Sequence, residues 1–342
     1  MSQESQTKPR PTVAIIGAGL SGMQAARILQ DHGYSIVVFE KSRGVGGRMA
    51  TRRVDGQPRF DHGAQYFTVR GPQFAEHVEK WKALGVVKRW TDKDSGKIVV
   101  INDGKVQRES ASVTRYVATP TMNAICKHLS EDIEIKKQTR IANINKKPTG
   151  VQLTSDAGID LGTFDRIIVS VPAGQAAELL KDIPVLAEPI AQLKMNPCWA
   201  LMASFANRLT DQWNGAFLHN SFLSWVACDS SKPDRSDDSA HYVIHAQPDW
   251  TNQHWQDEPD AIAAMMLNEL FRVTSINPVP ATHLVAHRWT FSIALKPSTA
   301  GCFFDQTSGI VACGDWACGS RVEGAFLSGV AAANKIVASL AE

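Results

Sequence analysis

No apolar run in this chain of 342 residues approaches the roughly 20 residues that a bilayer-spanning helix needs. Its first eleven residues are polar and hold no apolar stretch like that of a secretory signal, so a cytoplasmic protein without a membrane partner is expected. Concentrated charge is equally lacking. The 36 Lys and Arg against 34 Asp and Glu are scattered, which leaves no broad basic face to follow a phosphate backbone and makes nucleic acid an unexpected partner. Cysteine is scarce: Cys126, Cys198, Cys228, Cys302, Cys313 and Cys318. Only the last two are close, and their four intervening residues do not match the ligand pairs of structural zinc sites, so no metal is expected. A disulfide framework is not expected either in a chain of this size without a secretion signal, and buried, inert thiols fit better. There is no internal repeat, no low-complexity tract, and no Ser/His/Asp or paired-carboxylate arrangement that would mark a hydrolytic centre.

What is present is enough apolar residue, 44%, to fill one large core or two intertwined ones, and a conspicuous opening. Residues 12–16 read as a buried strand, followed by Gly17-Ala18-Gly19-Leu20-Ser21-Gly22, helix formers to Leu29, a glycine stop at Gly33, and a second buried strand over 35–39 ending at Glu40. This is a βαβ unit. Gly17 suits the tight turn, Gly19 the approach of a pyrophosphate to the backbone, and Gly22 close helix–strand packing. The helix start, with Ala18, Leu20 and Ser21 around it, offers unpaired N–H groups to phosphates. Glu40, 18 residues past Gly22, is placed to accept hydrogen bonds from ribose hydroxyls. The fingerprint serves NAD and FAD alike.

The next residues, Lys41-Ser42-Arg43-Gly44-Val45-Gly46-Gly47-Arg48-Met49-Ala50-Thr51, resemble the flavin-containing amine oxidase superfamily, in which a glycine pair and Arg close over the FAD pyrophosphate. A guanidinium fork matches that charge chemically. Near the C-terminus, Cys313-Gly314-Asp315 and then Glu323-Gly324-Ala325, opening a helix that runs to about residue 340, are similar to the segment that binds the ribityl chain and aims a helix dipole at the flavin ring. The resemblance implies an α/β protein with a glutathione-reductase-like, FAD-binding Rossmann fold and a second, smaller antiparallel-sheet substrate domain. The FAD-binding residues it implies are Gly17, Ala18, Gly19, Leu20, Ser21, Gly22, Glu40, Lys41, Gly47, Arg48, Met49, His62, Gly63, Ala64, Gln65, Ile141, Asp315, Glu323, Gly324 and Ala325. Cys318 lacks the surroundings of a covalent flavin attachment, so the FAD is expected to be non-covalent.

These motifs make the cofactor domain discontinuous, over 12–70, 112–172 and 300–342, with substrate domain at 71–111 and 173–299. A strand over 113–118, a helix capped by Thr119-Pro120 and running to Leu129, and strands within 133–144 and 166–170 are expected in the first. Strands at 199–206, 222–228, 242–247 and 283–289, a helix over 260–273 and a loop over 230–239 are expected in the second.

Within the superfamily, Gly46-Gly47-Arg48-Met49 with Thr51, Asp61-His62-Gly63-Ala64-Gln65-Tyr66, His287-Arg288-Trp289 and Cys313-Gly314-Asp315 most resemble the renalase family. That resemblance implies oxidation of 1,2- and 1,6-dihydro isomers of NAD(P) to NAD(P)+ by hydride transfer to flavin, with dioxygen reduced to hydrogen peroxide. A dihydropyridine that loses hydride becomes aromatic at once, so the chemistry calls for a flat, dry pocket rather than a general base. The candidate catalytic residues are Trp289, His62, Gln65 and Tyr66. His62 reads equally as a flavin contact or a supporting residue, His245 and His287 as interior residues, and Arg288 or Lys296 as a weak candidate for substrate phosphate. Phe291 stands where some relatives have Tyr. The alternatives are an amine oxidase with an aromatic cage for a small amine, a polyene desaturase, and a non-enzymatic flavin module.

Overall fold

In the computed structural model, residues 10–53, 59–92, 97–108, 113–235 and 240–341 are described. The polar leader over 1–9 and the last part of the expected 230–239 loop, 236–239, lie outside these residues.

The β-branched opening strand, Thr12–Ile16, pairs in parallel with Ser35–Glu40 on one side and Arg166–Val169 on the other. Glu134–Lys137 extends the sheet beyond Ser35–Glu40, and Ile310–Ala312 beyond Arg166–Val169. Phe303–Asp305 adds an antiparallel edge, which completes six strands. Successive side chains of a strand point to opposite faces. Val13, Ile15 and Val38 therefore pack with Met23, Leu29, Phe326 and Ile336 of the helices Leu20–Asp31 and Val322–Ala341. Ala14, Ile16, Phe39, Ile167 and Val169 face the other way, onto the meander Ile141–Lys147, Gly150–Ser155, Asp160–Phe164 and the helices Ala173–Leu179 and Pro184–Ala191. Burial on both faces accounts for the unbroken apolar character of the strands. The two long helices approach closely, since a Cβ on Gly329 would lie 2.4 Å from Ser21 O.

The second sheet has seven strands, in the order His283–Ala294, Met195–Phe205, Ala240–Ala246, Leu223–Cys228, Gly215–His219, Ile98–Asn102, Lys105–Arg108. It is mixed rather than antiparallel, because Ile98–Asn102 joins Gly215–His219 in parallel. It is also not the smaller sheet. One face packs on the helix Pro259–Thr274 through Trp199, Leu201, Phe205, Tyr242, Ile244, Met266 and Leu270. The opposite face carries His241, His245, His283 and His287, spaced four residues apart on two strands. Met195–Phe205 lies between those strands, with Ser204 opposite both His241 and His283, and Ala200 opposite both His245 and His287.

Two further expectations differ from the structure. Arg115–Ala118 does not enter the Rossmann sheet but pairs with Val87–Thr91. The helix after it is shorter than expected, Ala124–Leu129, with a cis Thr119–Pro120 bond in the turn before it. The Thr119 hydroxyl donates to Gly85 O instead of capping, and Met122 N donates to Asp61 Oδ1, so tertiary partners hold 119–123 out of the helix.

Candidate active site

A cavity of about 2070 Å³ runs between the two sheets. Ordinary small-molecule pockets hold roughly 300–1,000 Å³, so it has room for a dinucleotide and a second ligand. One end is built by two glycine turns set back to back. Gly17 has φ +107°, and a Cβ there would lie 2.4 Å from Ser170 O. Gly46, φ +126°, donates its N–H to Ala18 O at 2.9 Å and forms a bridge with Gly19. A Cβ on Gly22 would meet Gly17 O at 2.1 Å, whereas nothing lies within 4 Å of one on Gly19. The helix Leu20–Asp31 starts with no side-chain cap, and Leu20 and Ser21 line the cavity. Uncapped first-turn N–H groups beside an unobstructed glycine fit the phosphates of FAD. Buried Glu40 accepts Ala18 N at 2.8 Å and Ser42 N at 2.7 Å, which fixes its carboxylate at the turn.

At the far side, Arg48 and Asp315 form a bidentate pair. Arg48 Nη1 also donates to Ser292 O at 2.9 Å. Glu323, in the first turn of Val322–Ala341, accepts Arg70 N at 3.0 Å and Gly71 N at 2.6 Å. Lys41, Gly47, Met49, Ile141 and Ala325 also line the cavity. Ala18, Gly22 and Gly324 do not: they lie behind its wall, and a Cβ on Gly324 would strike Cys318 O at 2.1 Å.

The floor comes from 61–66 and the strand His283–Ala294. Ala64 N donates to Arg48 O at 2.9 Å, and a Cβ on Gly63 would lie 2.0 Å from that oxygen, which locks this stretch to the glycine–arginine loop. Trp289 Nε1 donates to His62 O at 3.1 Å, and His245 Nε2 lies 3.3 Å from the same oxygen. The His62, His287 and Trp289 rings meet pairwise at centroid separations of 4.7–4.9 Å. Burial, then the charges of His287 and Arg52, push His62 down to about 3. Burial takes His245 down to about 4, and burial with Arg52 lowers His287. The floor is therefore aromatic, and its imidazoles are neutral near pH 7. Tyr66 stands beside Trp225 at 5.4 Å, with the Arg115 guanidinium 5.0 Å from its ring centroid.

Gln65 lines the cavity, but its amide is occupied by the protein. Its NH2 donates to Asp61 O and Gly63 O, and its Oε1 accepts from Lys232 Nζ at 3.4 Å. Lys232, within the stretch expected as a loop, belongs to a buried ionic group. Its Nζ lies 2.5 Å from Asp229 Oδ1 and 3.5 Å from Asp61 Oδ2, and Arg235 Nη2 lies 2.5 Å from Asp61 Oδ2. Thr51 Oγ1 donates to Asp61 Oδ1 at 2.6 Å. Burial alone would raise the Asp61 carboxyl, but Lys232 and Arg235 hold it below its ordinary value. Asp229 is raised by its burial, with Asp61 adding to the effect.

Neither candidate for substrate phosphate presents a free charge to the floor. Arg288 points to the opposite face from Trp289, lying over the Trp199 and Trp255 rings at 5.4 and 4.6 Å with a bond to Trp255 O. Lys296 is exposed beyond the strand and outside the cavity. Among the described residues no helix is long and apolar enough to cross a membrane, and no group of three or more His, Cys, Asp or Glu could hold a metal ion.

Residues 15–81 match an NAD(P)-binding Rossmann-like domain, and residues 116–337, more than half of the chain, match the flavin containing amine oxidoreductase family. Among curated proteins, a 4,4'-diapophytoene desaturase of Staphylococcus aureus (strain MRSA252) is 30% identical over 92 residues, 24% of this chain and 18% of its own length. An L-glutamate oxidase precursor of Streptomyces diastatochromogenes is 44% identical over 61 residues, 17% of this chain and 9% of its own. The chain thus spans less than a fifth of either relative. The solved structure of cyclohexylamine oxidase from Brevibacterium oxydans IH-35A superimposes with a TM-score of 0.75 over 98% of this chain and 100% of that one, at 14% identity, a likeness of fold.

Proposed function

This chain belongs to the flavin containing amine oxidoreductase family, with FAD as its cofactor, and from that premise we propose that it is a renalase-type oxidase of 1,2- and 1,6-dihydro-NAD(P). The products are NAD(P)+ and, from dioxygen, hydrogen peroxide. The observation that carries this reading is the charge of the cavity. Besides Arg288, whose charge is turned to the other face, twelve Lys or Arg line it against six Asp or Glu, an excess that the two charges of one FAD pyrophosphate do not neutralise. Such a field attracts a second polyanion and repels an ammonium.

When bound, FAD supplies the hydride acceptor and the route of the electrons to dioxygen. Arg48, Asp315 and the uncapped helix at Leu20 would hold it. The protein's own part at the reacting end is positioning. Trp289 and His62, tilted by 33° to each other, offer aromatic surface for a dihydropyridine ring, with His287 edge-on to both. With their pKa values pushed down, these imidazoles are weak bases, and a dihydropyridine needs no proton removed. The buried bonds from Trp289 and His245 to His62 O keep these rings in place as the ring charge changes. The proposed division is 12–70, 112–172 and 300–342 for the cofactor and 71–111 and 173–299 for the substrate, although the helices Ala173–Leu179 and Pro184–Ala191 pack on the cofactor sheet.

A second reading, oxidation of a small amine, is favoured by the fold shared with cyclohexylamine oxidase and by the same aromatic floor. Anaerobic stopped-flow mixing of the yellow holoprotein with separated dihydronicotinamide isomers and with primary amines decides between them. We expect rapid bleaching by the isomers alone, and bleaching by amines alone would end the dinucleotide reading.

A further inference from the structure

The strands Arg52–Arg53 and Arg59–Phe60 form a short antiparallel pair in which Arg53 stands directly opposite Arg59. Like charges in that register destabilise a strand pair. Phe60 anchors the pair: it is fully buried and its ring meets His283 and His241 at 5.6 and 5.5 Å. A third cation, Lys127 on the helix Ala124–Leu129, faces the same spot. Its own burial, then the charges of Arg53 and Arg59, lower its pKa.

Among the described residues no carboxylate pairs with Arg52, Arg53, Arg59 or Lys127. Asp61, whose charge also reaches Lys127, is bound to Lys232 and Arg235. Arg52, Arg53 and Lys127 line the same cavity as the aromatic floor, and the charge of Arg52 is felt by His62 and His287. The rim thus concentrates positive charge without a described carboxylate partner within electrostatic reach of the place where the substrate ring lies. It adjoins the Gly46 turn, since a Cβ there would lie 2.9 Å from Asn123 at the start of the Lys127 helix, so the flavin content of variants decides whose phosphates it receives.

We propose that Arg53, Arg59 and Lys127, with Arg52 on the adjoining floor side, form the subsite for the phosphate groups of the substrate, an inference that rests on the dinucleotide reading above. The phosphates supply a counter-charge that no described carboxylate provides, while the dihydropyridine ring reaches inward to Trp289 and His62. The guanidinium forks suit phosphate oxygens in particular.

The test uses holoprotein, the double variant Arg53→Ala/Arg59→Ala, and Lys127→Gln on a different element in case the first does not fold. Inorganic pyrophosphate and ADP-ribose are titrated by calorimetry, and flavin content is measured alongside. The preference for dihydronicotinamide dinucleotide over the phosphate-free dihydronicotinamide riboside is taken as a ratio of kcat/KM values. We expect both anions to bind at least about tenfold more weakly to the variants, and the dinucleotide preference to fall by a similar factor. Loss of flavin from the variants would assign the cations to the cofactor and overturn the proposal, and so would an unchanged dinucleotide preference. If the unaltered protein oxidises neither isomer, yet binds pyrophosphate through these residues, the subsite stands as a phosphate site and the oxidase reading is the one that falls.

Discussion

Arg48 and Asp315, 267 positions apart in sequence, meet as a two-pronged ion pair at the cavity wall. The pair joins the loop after the second strand to the turn that precedes the last helix. The Asp315 carboxylate is nearly buried and the guanidinium about a quarter exposed. Replacing Asp315 with Asn removes the charge and keeps the shape. We expect FAD affinity to fall roughly thirty-fold, about 2 kcal/mol for a charged hydrogen-bonded contact. Fluorescence titration of the apoprotein with FAD measures this, and an unchanged dissociation constant would show that the pair serves the fold alone.

Gly19 separates the needs of the fold from those of the ligand. Its backbone is in an extended conformation and a Cβ there would touch nothing within 4 Å. Gly19→Ala should therefore leave apoprotein stability within about 0.5 kcal/mol and still weaken FAD binding at least tenfold, because the methyl group enters the space of the pyrophosphate. Urea denaturation and FAD titration of the same preparation check both halves. If the variant binds FAD normally, the phosphates do not lie where the turn places them.

The buried ions predict an asymmetry. Lys232→Met leaves Asp229 buried without its cation, and we expect a loss of about 3–5 kcal/mol. Adding Asp229→Leu removes the orphaned charge and should recover most of that loss, with Arg235 still on Asp61. A double variant no more stable than the single one in equilibrium urea denaturation would refute this account of the cluster.

Stability should fall on acidification before the carboxylates titrate. In the unfolded chain His62 and His245 take up protons near pH 6.5, while in the fold they stay neutral down to about 3 and about 4. Between these limits the unfolded chain binds more protons, so their contribution is complete above pH 6.5. It is lost as pH falls, by about 1.4 kcal/mol per pH unit for each imidazole. Asp61, lowered, acts in the same sense at lower pH, and Asp229, raised, acts against it. The clean measurement is therefore the difference between the chain and His245→Phe across pH 6.5 to 4.5. We expect a slope shallower by about one proton in the variant. Parallel curves would mean that His245 is protonated in the fold.

Sequence made the cofactor end legible because phosphate binding constrains the backbone itself. Only glycine tolerates the Gly17 turn and the Gly46 docking, so the constraint is written in residue identity. The floor was visible in part, through His62 and Trp289. The ionic group beneath it was not, since Lys232 and Arg235 sit in a Ser-, Asp- and Lys-rich stretch that reads as a loop, with Asp229 at its edge. Their burial depends on Asp61, 168 or more positions away. The parallel entry of Ile98–Asn102 and the pairing of Arg115–Ala118 with Val87–Thr91 were hidden for the same reason, because register across distant segments leaves no local trace. The free-looking Arg288 charge was misleading: strand alternation sends it to the face away from Trp289.

The four-ion knot under Gln65 also limits how the molecule can breathe. Asp61 comes from the segment that carries the floor, and its partners come from the connection that follows the strand Leu223–Cys228, so an opening that parts the two must break several buried ion pairs at once. Movement of rim side chains alone leaves that knot intact.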